Sequence, residues 1–366
     1  MVTMREVAAR ARVSQKTVSR VFNDDPHVRP ETRERVRGVM RDLGYVANPI
    51  AGVFRSGRVP VLGIAVPDVG DPFFAVIVSA VDAVAREADM STLVASLGHD
   101  PDREEDVVRN LLRRAPSGLI MAPVGSDQGY LDVTAAGLPV VFVDREPVGH
   151  DSDVIHHDDA AGVRLAVEHL IEHGHRRIAF TGDSSDLPTT RERLRVHREV
   201  LREHGLDCRP EFERLGVVDE RTADEAIRGI TGLAEPPTAV FSSNAACTML
   251  LVPPLLAAGL SLVSFGDFPM ASSIAIPVCV VDQDPAEMGA LAAERILARA
   301  RARAAARALA RAATSRRRSG TAARRGRCTR RRIRNRYSVG SPHISRLRYD
   351  RLRLRLRFLR GWYARG

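Results

Sequence analysis

Lysine is nearly missing from this chain. Lys16 is the only one among 55 basic residues, the usage of a GC-rich gene. Cysteine is scarce too: Cys208, Cys247, Cys279 and Cys328 are scattered, with no C-x-x-C pair. That excludes a disulfide framework and a structural zinc site, leaving ordinary reduced thiols. No run of eighteen apolar residues occurs, so no transmembrane helix is expected. The amino terminus, Met1 to Glu6, has no apolar h-region or cleavage site, which argues against secretion and for a cytoplasmic protein. No G-x-S-x-G, Walker or G-x-G-x-x-G signature appears, nor any nucleophile-base constellation, so neither an enzyme nor a cofactor is expected.

What is present is charge, unevenly placed. The 366 residues carry a net charge of +10, enough length for two or three domains. Residues 1–58 carry +6, residues 59–300 carry −18, and residues 301–366 carry +22, with 23 arginines against the single Asp350. A small basic head precedes a large acidic body and an arginine-rich tail. Only the head combines positive charge with a foldable apolar pattern.

In the head, Thr3 and Glu6 form a T-x-x-E capping box, predicting a helix start near residue 4. Val7, Ala8 and Ala11 share its inner face. After a tight turn, Ser14 can cap a second helix on which Val18, Val21 and Phe22 turn inward. Gln15, Lys16, Ser19 and Arg20 are left outside. Pro30 suits the first position of a third helix, Val36, Val39, Met40 and Leu43 form its stripe, and Gly44 ends it. Two short helices and a brace make a helix-turn-helix able to enter the major groove. Periodicity alone leaves open a plain three-helix bundle with solvated charges.

The residues themselves decide. Met4-Arg5-Glu6-Val7-Ala8 and Val13-Ser14-Gln15-Lys16-Thr17-Val18-Ser19-Arg20-Val21-Phe22-Asn23, continued by Pro30 to Val36 and Leu43-Gly44-Tyr45, closely resemble the head of the LacI/GalR (lactose-repressor-like) family of bacterial transcriptional regulators. The resemblance implies that Gln15 and Lys16 read bases. Thr3, Ser14, Thr17, Ser19, Arg20, Asn23 and Tyr45 complete the DNA contacts. Residues 47–59 would be a hinge helix, with Phe54 where the family places its minor-groove wedge. Packing of Phe54 against the body is the alternative. Two positions depart: Arg12 replaces the usual turn glycine, and Arg29 the usual serine cap.

From residue 60 to 300, short apolar runs alternate with amphipathic helices. Strands are expected at 61–66, 92–96, 118–122, 139–144, 177–181, 238–242 and 261–265, with helices at 73–87, 102–114, 160–173, 191–204, 222–233 and 285–298. The fold class expected is an all-α helix-turn-helix head plus an α/β body of two doubly wound parallel-sheet lobes, with a disordered tail. Ligands bind such sheets at the carboxyl ends of the strands. Gly63 to Asp68, Asp71-Pro72-Phe73-Phe74, Val141 to Arg145, Gly174 to Phe180, Arg191 to Leu194, Ser264 to Asp267 and Asp282 to Pro285 extend the resemblance to a body like a periplasmic sugar-binding protein. It implies Phe73 as a ring-facing aromatic, Arg193 as a hydroxyl donor, and Asn244, Asp267 and Gln283 as polar contacts. The bland alternatives are core packing for Phe73, a turn cap for Asp267 and a surface charge for Arg193. Departures are Ala245 where the family has a carboxylate, Val196 for glycine, a missing loop at Gly259-Leu260-Ser261, and Pro253-Pro254 interrupting a segment that should be helix. His156-His157-Asp158-Asp159 looks like a metal run. Neighbours on a strand point to opposite faces, however, so no metal is expected.

After about Ala300 the pattern gives way to arginine clusters. Residues 301–366 should self-repel and lack structure, and no closing strand of the family type is evident. A frameshift near codon 300 would produce such a tail; a basic arm contacting phosphates is the other reading. The domains expected are thus 1–46, 47–59, 60–300 and 301–366. The function expected is a sequence-specific regulator, a repressor rather than an activator, nucleoid-associated and outside any membrane. Its partners would be a pseudo-palindromic operator, a second copy of itself and a sugar-like effector. A stand-alone sugar-binding module and a non-functional frameshifted regulator are the alternatives.

Overall fold

The computed structural model describes residues 3–22, 25–43, 60–269, 271–274, 278–320, 346–349 and 353–357. The chain divides into two compact units, Met1–Val59 and Pro60–Gly366.

In the first unit, α1 (Met4–Ala11) opens with the expected capping box: Glu6 N–H donates to Thr3 Oγ1 at 3.3 Å, and Thr3 N–H to Glu6 Oε2 at 2.9 Å. It ends at Arg12, which is left-handed at φ 55° and ψ 47°. Thr17 N–H donates to Ser14 Oγ at 3.1 Å at the start of α2 (Gln15–Phe22). Arg29 gives α3 (Pro30–Asp42) no side-chain cap. Val7, Ala8, Ala11, Val18, Val21, Val28 and Val36 form the core. The Phe22 side chain, Asn23, Gly44, Tyr45 and the hinge 47–59 with Phe54 lie outside the described residues.

The second unit holds two lobes. The first runs β1 (Val61–Val66), α4 (Pro72–Glu87), β2 (Ser91–Ser96), α5 (Glu104–Leu112), β3 (Gly118–Met121), α6 (Leu131–Thr134), β4 (Val140–Val143) and β5 (Asp153–His157). The second runs α7 (Asp159–Glu172), β6 (Ile178–Thr181), α8 (Pro188–Glu203), β7 (Glu213–Arg214), α9 (Glu220–Thr231), β8 (Ala239–Ser242), α10 (Ala245–Ala258), β9 (Ser261–Phe265) and β10 (Val278–Asp282). After them come α11 (Pro285–Gly320), β11 (Arg346–Tyr349) and β12 (Arg353–Arg357). The sheet orders are β11-β5-β4-β3-β1-β2 and β12-β10-β9-β8-β6-β7. Every pairing is parallel except β12 on β10. Strands β3, β4, β6 and β8 are wholly buried, which is why they read as unbroken apolar runs. The expected fold class of head and two doubly wound lobes is the one observed.

Three features differ from expectation. Strand β5 carries Asp153 and two histidines, so its hydropathy hides it; β7 is only two residues long; β10, though apolar, lies outside the expected strands. The doubled proline does not break α10, which runs through Pro253 and Pro254. Leu251 and Leu255 hold it in the core, and the two carbonyls that the prolines leave without helical donors belong to Met249, 43% exposed, and Leu250, half-buried. As expected, no loop precedes β9: a left-handed Gly259 at φ 65°, whose N–H closes on Leu255 O, turns the chain in two residues. Finally, the tail is not without structure: α11 continues to Gly320, β11 pairs with β5 through Arg346↔Val154 to Tyr349↔His157, and β12 pairs with β10 through Val278↔Arg357 to Asp282↔Arg353. Open sheet edges recruit strands by backbone pairing, which charge composition does not forbid.

Helix α11 leaves the second lobe and packs on the first. Met288, Ala292, Ala293 and Ile296 enter the core beside Phe74, Ile77 and Val81. Gly289 allows the approach, since a Cβ there would lie 2.5 Å from Ile77 O. Asp153, 1% exposed, receives Arg295 Nε at 2.7 Å and Arg299 Nε at 2.9 Å.

Candidate DNA-reading helix and effector cleft

Helix α2 has two faces. Val18 and Val21 are buried in the head core, while Gln15, Lys16 and Arg20 are exposed and Thr17 and Ser19 half-buried. The Ser14 and Thr17 hydroxyls bond each other at 2.9 Å. Arg20 Nε stands 3.5 Å from Asp25, whose carboxyl is held below its ordinary range chiefly by the His27 backbone N–H. The outward set is therefore one amide, two cations and short hydroxyls on a rigid rod. Such a set can donate to base edges and phosphates.

Between the lobes lies a cleft enclosing about 400 Å³, part of it open to solvent. It sits at the carboxyl ends of the strands, where each chain segment turns into a helix. Asp71, Phe73, Phe74, Asp144 and Arg145 come from the first lobe; Asp183, Thr189, Arg193, Asn244, Ala245 and Gln283 from the second. Asp71 caps α4, accepting from Phe73 N–H at 2.8 Å. Burial, opposed by that bond and aided by Asp144 and Asp68, pushes its carboxyl up to about 6. Asp144 follows β4 at φ 67°, a strained conformation that costs about 1–3 kcal/mol and turns the chain at the rim.

Arg193 is the most constrained of these residues. It is 5% exposed and donates from Nη1 to Ser243 O at 2.7 Å and from Nη2 to Asp159 Oδ1 at 3.0 Å. Its guanidinium carbon lies 4.1 Å from the centre of the Phe265 ring. Burial raises the Asp159 carboxyl against the pull of Arg193. Asn244 Oδ1 caps α10 by accepting from Cys247 N–H at 2.7 Å, and its Nδ2 donates to Asp183 Oδ2 at 2.9 Å.

The four-residue acidic and histidine run is split among four roles. His156 Nε2 faces Glu146 at 3.7 Å. His157 packs its ring 6.3 Å from Phe73, and burial, with Arg193 nearby, pushes it down to about 3, hence neutral. Asp158 caps α7, and Asp159 pairs with Arg193.

Of the five effector residues expected, Phe73, Arg193, Asn244 and Gln283 line the cleft together. Asp267 is not among its lining; its Oδ1 accepts from Phe268 N–H at 2.9 Å, the turn-cap arrangement. Sequence reasoning missed Asp71, Phe74, Asp144, Arg145, Asp183, Thr189 and Ala245. The signal for most of them was position, just past the ends of β1, β4, β6 and β8.

A second network fixes the cleft's first-lobe rim. Buried Glu104 accepts from Val124 N–H at 2.6 Å, Gly125 N–H at 2.7 Å, Gln128 Nε2 at 3.0 Å and Tyr130 OH at 3.0 Å. Gln128 Oε1 in turn accepts from Val148 N–H at 2.9 Å, and Pro123 O accepts from Arg145 Nη1 at 3.1 Å.

These parts define a class: a helix-turn-helix head joined to a two-lobed body of periplasmic-binding-protein type. Residues 3–48 match the bacterial regulatory proteins of the lacI family, and residues 167–320 match the periplasmic binding protein-like domain. The HTH-type transcriptional regulator GalR of Salmonella typhimurium is 30% identical over 245 residues, 67% of this chain and 72% of that protein. The HTH-type transcriptional repressor PurR of Photobacterium profundum is 26% identical over 309 residues, 82% and 92% of the two chains. A crystal structure of the lac repressor dimer bound to operator and the anti-inducer ONPF superposes with a TM-score of 0.74 at 26% identity, covering 82% of this chain and 93% of that one. The chain belongs to the LacI/GalR family and is a transcriptional regulator.

Proposed function

We propose that the chain represses transcription as a homodimer on a pseudo-palindromic operator, under control of a small sugar held between its lobes. The observation that carries this reading is the two-faced α2, with Gln15, Lys16 and Arg20 outward and Val18 and Val21 buried. Gln15 and Lys16 read bases; Thr3, Ser14, Thr17, Ser19 and Arg20 hold phosphates or bases. Asn23, Tyr45 and Phe54 extend the surface by resemblance alone. The lac repressor structure, a dimer on operator, supports the same arrangement.

In the body, Phe73 offers a ring face, and Arg193, Asn244 and Gln283 offer hydroxyl partners. Closure on the sugar shifts the populations of two lobe arrangements, and so DNA affinity. Exposed apolar side chains on adjoining helices, Val76 on α4 and Met249 and Leu256 on α10, suit pairing of two copies. Among the described residues no helix is long and apolar enough to cross a membrane. Action on the chromosome in the cytoplasm is the setting this reading requires.

The test is selection of bound duplexes from a random pool, followed by gel shift with added sugars. Inverted repeats, with binding altered by a sugar, are expected. Absence of preference among sequences overturns the proposal.

A further inference from the structure

The charges of the cleft say what its occupant must be. Both cations that line it face a carboxylate, although the Nε of each is buried without a hydrogen-bond partner. Arg145 Nε stands 3.3 Å from Asp144 Oδ2, and Arg193 Nη2 3.0 Å from Asp159 Oδ1. Those pairs cancel. Asp71 and Asp183 remain, and their recorded hydrogen-bond partners are neutral. Asp71 accepts from the Phe73 amide at 2.8 Å; Asp183 accepts from the Thr190 hydroxyl at 2.6 Å and the Asn244 amide at 2.9 Å.

Helix N-termini are the usual alternative anion sites. Two of them are taken, α4 by Asp71 and α10 by Asn244. The third, α8, has no side-chain cap at Leu187, but the Asp183 carboxylate stands in its first turn, bonded to the Thr190 hydroxyl, where an incoming anion would meet it. A phosphate monoester, carrying about −1.5 to −2 charges, would meet three lining carboxylates, Asp71, Asp144 and Asp183, against two arginines that each already face a carboxylate. Hydroxyl groups fit instead. They donate to Asp71 and Asp183 and accept from the amides of Asn244 and Gln283.

We infer, resting on the sugar reading above, that the effector is an uncharged small polyol and that the cleft rejects its phosphate esters. The raised Asp71 carboxyl agrees, since burial, with Asp144 and Asp68 nearby, outweighs the Phe73 backbone bond and the smaller pull of Arg145.

The experiment is calorimetric titration of the full-length protein at low salt. The probes are ribose, glucose, galactose and fructose, their phosphate monoesters, and inorganic phosphate. A parent sugar should bind at least about tenfold more tightly than its ester. The double variant Asp71→Asn, Asp183→Asn, with its folding checked by circular dichroism, should narrow that gap severalfold. An ester binding as tightly as its parent overturns the inference and leaves the sugar reading standing. So does a gap that the folded double variant leaves unchanged. If that variant does not fold, the comparison of sugar with ester on the native chain decides alone. Silence from every sugar and ester overturns the sugar reading itself, and the inference with it, while DNA selection remains an independent measure.

Discussion

Arg12 sits in the left-handed region at φ 55°, where a Cβ crowds the following carbonyl. Arg12→Gly should therefore raise head stability by roughly 1 kcal/mol. Thermal melting followed in the head should rise by a few degrees, and an unchanged or lower midpoint would contradict the strain. Asp71 makes the opposite kind of test. Its carboxyl ordinarily ionises near 3.8 but is pushed up to about 6 in the fold, chiefly by burial. Folding therefore favours the protonated acid; its contribution is intact below about 4 and is lost as pH rises through about 6. The gap is worth on the order of 3 kcal/mol. Asn at this position keeps the α4 cap and removes the charge. The melting temperature of Asp71→Asn should match the native chain near pH 4 and exceed it above pH 7. Buried neutral His157 and His197 titrate alike in both proteins and cancel from the difference. A difference that stays flat across this range would refute the burial argument.

At the scale of elements, legibility followed whether a segment's partners were local. Helices α1 to α3 were readable because caps and stripes lie within a dozen residues. The wholly buried strands were readable because burial on both faces leaves an apolar run. Strand β5 was not, because the partners that neutralise Asp153 come from Arg295 and Arg299, some 140 residues later. The cleft behaved likewise. Phe73, Arg193, Asn244 and Gln283 were reachable through family-like strings, whereas Asp183 and Thr189 acquire meaning only once two lobes face each other. The clamp on α11 can be tested directly. Asp153→Ala leaves two arginines at a half-buried site without their carboxylate. Removing one partner of a buried ion pair typically costs about 3–5 kcal/mol. The partial exposure of both arginines, 34% and 19%, places the expected loss at the lower end. Urea unfolding would read it as a lowered midpoint with an unchanged slope.

For the molecule as a whole, the final strands change what the tail means. The chain passes between lobes after β5, again after β10, and once more between β11 in the first sheet and β12 in the second. Read by composition, residues beyond 300 promised only repulsion; read by pairing, nine of them extend both sheets at their open edges. The sheets are otherwise bounded there by β5 and β10, whose backbone donors and acceptors would be left to water or to another chain. A chain stopped after residue 345 keeps α11 and loses both strands. Backbone bonds are worth about 0.5–1.5 kcal/mol each in net terms, so the loss should reach ~2 kcal/mol or more. For a body of this size that lowers the melting temperature by roughly 4–8 °C. The bared edges should also make the truncated protein scatter light in a concentration-dependent way, while head-dependent DNA selection persists. An equal melting temperature and a clear solution would mean that the two strands contribute nothing, and that the tail is dispensable after all.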